Sequence, residues 1–96
     1  MTALARLHLF LVERYVASPA EEKLAGISSR LRKAASELAV EGIDLHYLQS
    51  IVLDGEESCM CLFEAPSEAE VRMVNERAGL AYLRIVAVTA ASGDAP

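Results

Sequence analysis

The sequence predicts an α+β protein with the element order β-α-β-β-α-β, in which a four-stranded antiparallel sheet carries two helices on one face. Three observations lead to this prediction. Two helix-start signals each follow a short apolar segment, a hairpin-turn signal separates the two middle apolar segments, and a last apolar segment follows the second helix. This order is the split βαβ, or ferredoxin-like, arrangement.

The first strand is expected over residues 7–15, and the first helix follows it. Ser18 can cap this helix, Pro19 suits the first helical position, and Glu21 completes a capping box. Gly42 is expected to end it. The apolar residues between these signals recur at helical spacing, at Leu24, Ile27, Leu31, Ala34 or Ala35, and Leu38.

A hairpin is expected next, with a strand over residues 44–53 and a turn at Asp54-Gly55. A four-residue loop would shift the strand pairs by two and keep the same faces, whereas a three-residue loop would exchange the faces. A two-residue loop predicts the pairs Ser50 with Cys59, Leu48 with Cys61, and His46 with Phe63.

The third strand, which begins at Ser58, is apolar on both faces. Cys59, Cys61 and Phe63 share one face, and Met60, Leu62 and Glu64 share the other. Helices can cover only one of these faces, so we expect a second copy of the chain to cover the other. The sequence therefore predicts a homodimer of the dimeric α/β-barrel type.

The second helix repeats the signals of the first. Ser67 is its expected cap, Glu70 closes a capping box, and Gly79 ends it. The last strand is expected over residues 82–89. Residues 1–91 are thus predicted to form a single ferredoxin-like domain, followed by a flexible C-terminal tail over residues 92–96.

Composition restricts the classes of function. The net charge of −5 argues against nucleic-acid binding, because phosphate contacts need a basic surface. No apolar segment is long enough to cross a membrane. The two cysteines stand at i and i+2 on one strand face, and side chains so arranged are poorly placed to form a disulfide. We therefore expect reduced thiols in a cytoplasmic protein.

The cysteines are also the strongest candidates for a metal site. Thiolates bind soft metals, and the favoured hairpin register places His46 on the same face as Cys59 and Cys61. His8 would join them if the first strand has the right phase against the third. Against this, buried cysteine commonly acts as a small hydrophobic residue, so packing is the alternative role.

A second candidate site is a ligand pocket between the sheet and the helices. Glu13, Arg14 and Glu64 end neighbouring strands and could form its rim, while His8 and Tyr47 could add polar groups. Charges at strand ends also commonly meet solvent. The sequence has no Gly-rich phosphate loop, no nucleophile signature and no His-Glu-x-x-His motif, so no catalytic residue is assigned.

Four segments carry a resemblance to a known family: residues 10–14 (FLVER), 59–67 (CMCLFEAPS), 77–80 (RAGL) and 84–86 (RIV). They resemble small bacterial ferredoxin-like proteins long classed as a domain of unknown function, one branch of which is described as nickel-binding. The resemblance spans residues 7–89 and implies a ferredoxin-like fold that dimerises. Histidine-bearing members carry a pattern like Val-His-x-x-Ala-His-Gly, where this chain has Val74-Asn75-Glu76-Arg77-Ala78-Gly79, so nickel binding through those histidines does not carry over.

We therefore expect a small non-enzymatic dimeric protein that binds a small ligand or a metal ion. Nickel or another transition metal is the candidate ion. Two alternatives remain open: a cofactor-free oxygenase- or isomerase-like enzyme of the dimeric α/β-barrel type, which rests on fold analogy, and a structural or regulatory interaction module.

Overall fold

The computed structural model describes residues 6–91 and 93 and contains six elements in the predicted order. The strands and helices are β1 (His8–Tyr15), α1 (Ala20–Val40), β2 (His46–Val52), β3 (Ser58–Ala65), α2 (Glu68–Ala78) and β4 (Arg84–Val88). Apart from residue 93, the predicted tail lies outside the described residues.

The four strands form one antiparallel sheet in the order β2-β3-β1-β4. Strand β1 lies at its centre, where Val12 pairs with Cys61 of β3 on one side and with Ile85 of β4 on the other. The predicted ferredoxin-like α+β fold is confirmed. The first strand also neighbours the third, as expected.

The two faces of the sheet differ in burial. Phe10 and Val12 of β1, and Cys59, Cys61 and Phe63 of β3, are buried and belong to the core that also contains the apolar stripes of both helices. The alternate residues point to the other face, which no element of the described chain covers. Partly exposed apolar side chains on this open face include Leu9, Leu11, Met60, Leu62, Val86 and Val88.

The helix starts differ from the prediction in detail. Helix α1 begins at Ala20 with Pro19 as its cap residue, and the backbone N–H of Ser18 donates to the Glu57 carboxylate (2.9 Å), so the predicted Ser18 cap is wrong. Ser67 does occupy the cap position of α2, but its hydroxyl donates to Glu70 (2.5 Å) and caps no backbone N–H. Neither helix of the described chain combines the length and apolar character needed to cross a bilayer.

The β2–β3 hairpin also corrects the predicted register. The loop has four residues, 54–57, and the Leu53 N–H donates to the Ser58 carbonyl (3.2 Å). Beyond the loop, a β-bulge at Leu48 inserts one extra residue into β2. A one-residue insertion exchanges the faces of the residues that precede it. The observed pairs are therefore Val52 with Cys59, Ser50 with Cys61, Tyr47 with Phe63, and His46 with Glu64.

Candidate functional site

A pair of thiols lies at the centre of the molecule. Cys59 and Cys61 occupy the helix-facing side of β3, and both are free cysteines with 0% exposure. Their Sγ atoms are 3.9 Å apart, within hydrogen-bonding distance for sulfur. The alternation of β3 places both side chains on one face, which is why the sequence could predict their proximity.

A chain of hydroxyl groups connects this pair to the surface. Ser50 Oγ lies 3.0 Å from Cys61 Sγ, and the Tyr47 hydroxyl is hydrogen-bonded to Ser50 Oγ and donates to Ser28 Oγ (3.1 Å). Ser28, Tyr47 and Ser50 line a cleft of about 590 Å³ between α1 and β2. Each hydroxyl carries one proton, so Ser50 can donate to a Cys61 thiolate when Tyr47 donates to Ser50 instead of to Ser28.

A buried arginine lies on the other side of the thiols. Arg14 is 2% exposed and pairs across the sheet with Cys59. Its guanidinium donates to the Ala81 carbonyl (3.0 Å) and to the side-chain oxygen of Asn75. Its Nε has no hydrogen-bond partner among the described residues, and no carboxylate of that part of the chain forms an ion pair with it. The buried guanidinium therefore has neutral hydrogen-bond acceptors in Ala81 and Asn75 and no carboxylate partner in this part of the chain.

These neighbours shift the pKa values of the two thiols in opposite directions. The hydrogen bond from Cys59, with further contributions from Ser50 and the Arg14 charge, lowers the pKa of Cys61 to about 6. The same sulfur–sulfur hydrogen bond, together with burial and the charge on Cys61, raises the pKa of Cys59. The pair thus shares one thiolate near neutral pH, with the negative charge on Cys61.

The predicted histidine ligands do not join the thiols. The Leu48 bulge turns His46 to the open face, where it is exposed and lies 3.2 Å from Asp44, so the predicted shared face with Cys59 and Cys61 is wrong. His8 pairs with Ala65, four residues along β3 from Cys61, which is about 13 Å at the rise of a strand. Within the described residues, no group of three or more His, Cys, Asp or Glu side chains is arranged to hold a metal ion.

The residues predicted to form a ligand pocket are likewise separated. Glu13 and Glu64 lie on the open face of the sheet, and Glu13 accepts a hydrogen bond from Arg84 Nε (2.7 Å). Tyr47 faces α1, and His8 is exposed at the start of β1. The structure does not bring these four residues together.

Arg14 is the site residue whose position the sequence reasoning missed. It was expected at the rim of a pocket or in solvent, because it ends a strand next to Glu13. The alternation of Phe10, Val12 and Arg14 carried the correct signal, since these three residues share the helix-facing side of β1. A charged residue in phase with a buried face indicates a buried charge with specific partners.

Comparisons with known proteins agree with this fold. The model of the family described as nickel responsive protein SCO4226-like matches residues 10–88. The crystal structure of SCO4226 from Streptomyces coelicolor A3(2) is similar at a TM-score of 0.58 and 24% sequence identity, covering 88% of this chain and 99% of that chain. At this identity the likeness shows the fold alone. No curated protein matches the sequence.

Proposed function

Since this chain belongs to the SCO4226-like family of nickel-responsive proteins, we propose that it is a small, non-enzymatic, homodimeric metal-binding protein whose Cys59 and Cys61 thiolates hold the ion. The observation that carries this proposal is the 3.9 Å separation of the two Sγ atoms. Nickel or another thiophilic transition metal is the proposed ion.

The sulfur spacing suits a shared ion. Two thiolates bound at about 2.3 Å to one tetrahedral ion lie about 3.8 Å apart, close to the observed separation. Both cysteines project from one strand, so the backbone already fixes their directions. Binding would therefore need little rearrangement of β3.

The charges around the pair favour the ligating form of cysteine. Metal binding requires thiolates, and the low pKa of Cys61 supplies one of them near neutral pH. Arg14 balances that single negative charge. The second thiolate, on Cys59, would form when the charge of an incoming ion displaces its proton.

The donor set of one protomer is nevertheless incomplete for a closed structural site. Such sites use four ligands, whereas the described residues offer two thiols and the hydroxyl of Ser50 beside Cys61. The remaining coordination positions of the ion would be filled by this hydroxyl or by small exogenous ligands that reach the ion from the cleft between α1 and β2. Both sulfurs are buried, so neither lies on an exposed surface where a substrate would contact it, and this supports a non-enzymatic role.

The open face of the sheet supports the dimer. Its apolar side chains, among them Leu11 and Leu62, form neighbouring cross-strand pairs. An antiparallel sheet can leave one face in water when that face is polar, but this one is largely apolar. Two such faces packed together would give the dimeric α/β barrel and remove apolar surface from water on both copies.

Titration of metal-free protein with Ni²⁺ and Co²⁺ tests the proposal. We expect thiolate-to-metal charge-transfer absorption that saturates at one ion per chain, and its loss in the Cys59→Ala, Cys61→Ala double variant. Met60→Leu is the matched control, because Met60 lies between the cysteines but faces the other side of β3. Far-UV circular dichroism checks that the variants fold. Absence of the band, or equal absorption in the folded double variant, would overturn the proposal.

A further inference from the structure

A second cleft, of about 490 Å³, opens where the end of β1, the first half of α1 and the segment after α2 meet. Three cationic residues line it, Arg14, Lys23 and Arg30, and no aspartate or glutamate does. The whole chain carries 14 acidic and 9 basic residues, so a lining with three basic and no acidic residues differs from the composition of the chain. The lining of the cleft therefore concentrates positive charge in an acidic protein.

Backbone carbonyls hold these three cations in place. Lys23 Nζ donates to the Ala17 carbonyl (3.0 Å) and an Arg30 terminal nitrogen to the Gly79 carbonyl (3.3 Å). The Arg14 contact with the Ala81 carbonyl completes the set. All three carbonyls belong to residues that line the same cleft. A carbonyl orients a cation without cancelling its charge, so the cleft keeps donors for an anion.

Arg14 supplies the strongest reason to expect a ligand here. Its side chain is almost fully buried, yet its Nε–H has no partner among the described residues. Burying a charge is costly, and an anion in the adjacent cleft would lie near the guanidinium and offset part of that cost.

Two glycines keep the cleft open. Gly26 lies inside α1, where glycine costs roughly 0.5–1 kcal/mol relative to alanine, and a Cβ built there meets no atom within 4 Å. Gly79 has φ +69°, and a Cβ at this position would approach Arg30 Nη2 to 2.9 Å. The first glycine leaves space for a ligand, and the second allows Arg30 to reach its position.

We propose that this cleft binds a small organic carboxylate with an apolar body. Arg14, Lys23 and Arg30 would hold the carboxylate, and the apolar wall of Val16, Ile27 and Leu80 would contact the remainder. The volume is within the range of small-molecule sites. This ligand is separate from the proposed metal ion, and the site is tested on metal-free protein.

The probe is octanoate, with octanamide as its neutral counterpart, measured by isothermal titration calorimetry. We expect one octanoate per chain and an affinity that falls with added salt. Octanamide should bind at least about tenfold more weakly than octanoate. Equal binding of the two probes, or no saturable binding of octanoate, would overturn the proposal.

Matched variants locate the binding. Lys23→Gln and Arg30→Gln should each weaken octanoate binding by about tenfold, the loss of one charge-assisted contact. Lys33→Gln, on the same helix but lining a different depression, should not. Gly26→Leu should abolish binding by filling the cleft, whereas Ala25→Leu, whose side chain lines the cleft between α1 and β2, should not. Octanoate binding that is unchanged in Gly26→Leu, or equally weakened in Lys33→Gln, would contradict the assignment.

Discussion

The side-chain oxygen of Asn75, in α2, accepts a hydrogen bond from a terminal nitrogen of Arg14, in β1. Asn75 Nδ2 in turn donates to the Val71 carbonyl (2.8 Å), which orients the amide oxygen towards the guanidinium. Both residues are buried. The contact joins the helix layer to the sheet and holds a positive charge beside the cysteine pair.

Asn75→Ala should therefore destabilise the protein by about 2–3 kcal/mol, because it removes a hydrogen bond to a buried charge and leaves the guanidinium less satisfied. Asn75→Asp is the matched control. It keeps an acceptor for Arg14 and should lose clearly less stability at pH 7. Urea unfolding of both variants measures the difference. Equal stability of the alanine and aspartate variants would show that Arg14 does not depend on this acceptor.

The thiols should titrate separately in the metal-free protein. We expect thiolate absorbance near 240 nm to rise with a pKa of about 6 for Cys61, and this step to disappear in Cys61→Ser. Cys59→Ala should raise the remaining pKa, because it removes the main hydrogen bond to the Cys61 thiolate. Cys59→Ser keeps a donor and should raise it less. A single step near the ordinary value of 9.0 in the native protein would contradict the assignment.

The same shift makes stability depend on pH. The folded pKa of Cys61 is lower than its ordinary value of 9.0, so its ionisation favours the folded state. This contribution is complete above about pH 9 and is lost as the pH falls towards 6. Comparing urea midpoints of the native protein and Cys61→Ser from pH 6 to pH 9 isolates it. The stability difference between the two should grow with pH across this window, and a constant difference would contradict the prediction.

Removal of the Ser50 hydroxyl should also change the pKa of Cys61, because Ser50 is its second hydrogen-bond partner besides Cys59. Ser50→Ala should raise the Cys61 pKa and cost about 1 kcal/mol of stability, the net value of one hydrogen bond. Ser28→Ala is the control, since Ser28 contacts Tyr47 at the far end of the hydroxyl chain. Its thiolate titration should match that of the native protein. If the two serine variants shift the titration equally, the effect does not pass through the Ser50–Cys61 contact.

The fold was largely readable from the sequence, whereas the site was only partly so. Apolar periodicity and turn residues are local signals, and they sufficed for the six elements and for the shared face of Cys59 and Cys61. The bulge at Leu48 has no such signal, because one extra residue in β2 changes neither its composition nor its length noticeably. It nevertheless moved His46 away from the cysteines and turned Tyr47 towards α1. For Arg14 the alternation of β1 did indicate the buried face, but Asn75, the partner that accommodates its charge there, is 61 residues away in the sequence.

The proposed dimer predicts that a charge on the open sheet face will separate the subunits. Leu62→Lys places an ammonium group among Leu11, Gln49 and its other cross-strand neighbours, and symmetry repeats the charge on the second copy. The cost of burying both charges should raise the dissociation constant by at least about 100-fold. Light scattering with size exclusion should then give twice 10.4 kDa for the native protein and 10.4 kDa for the variant. Val40→Lys, on α1 and 89% exposed, is the control and should remain dimeric. A monomeric native protein at about 100 μM would instead mean that the apolar face is covered by something other than a second copy of this chain.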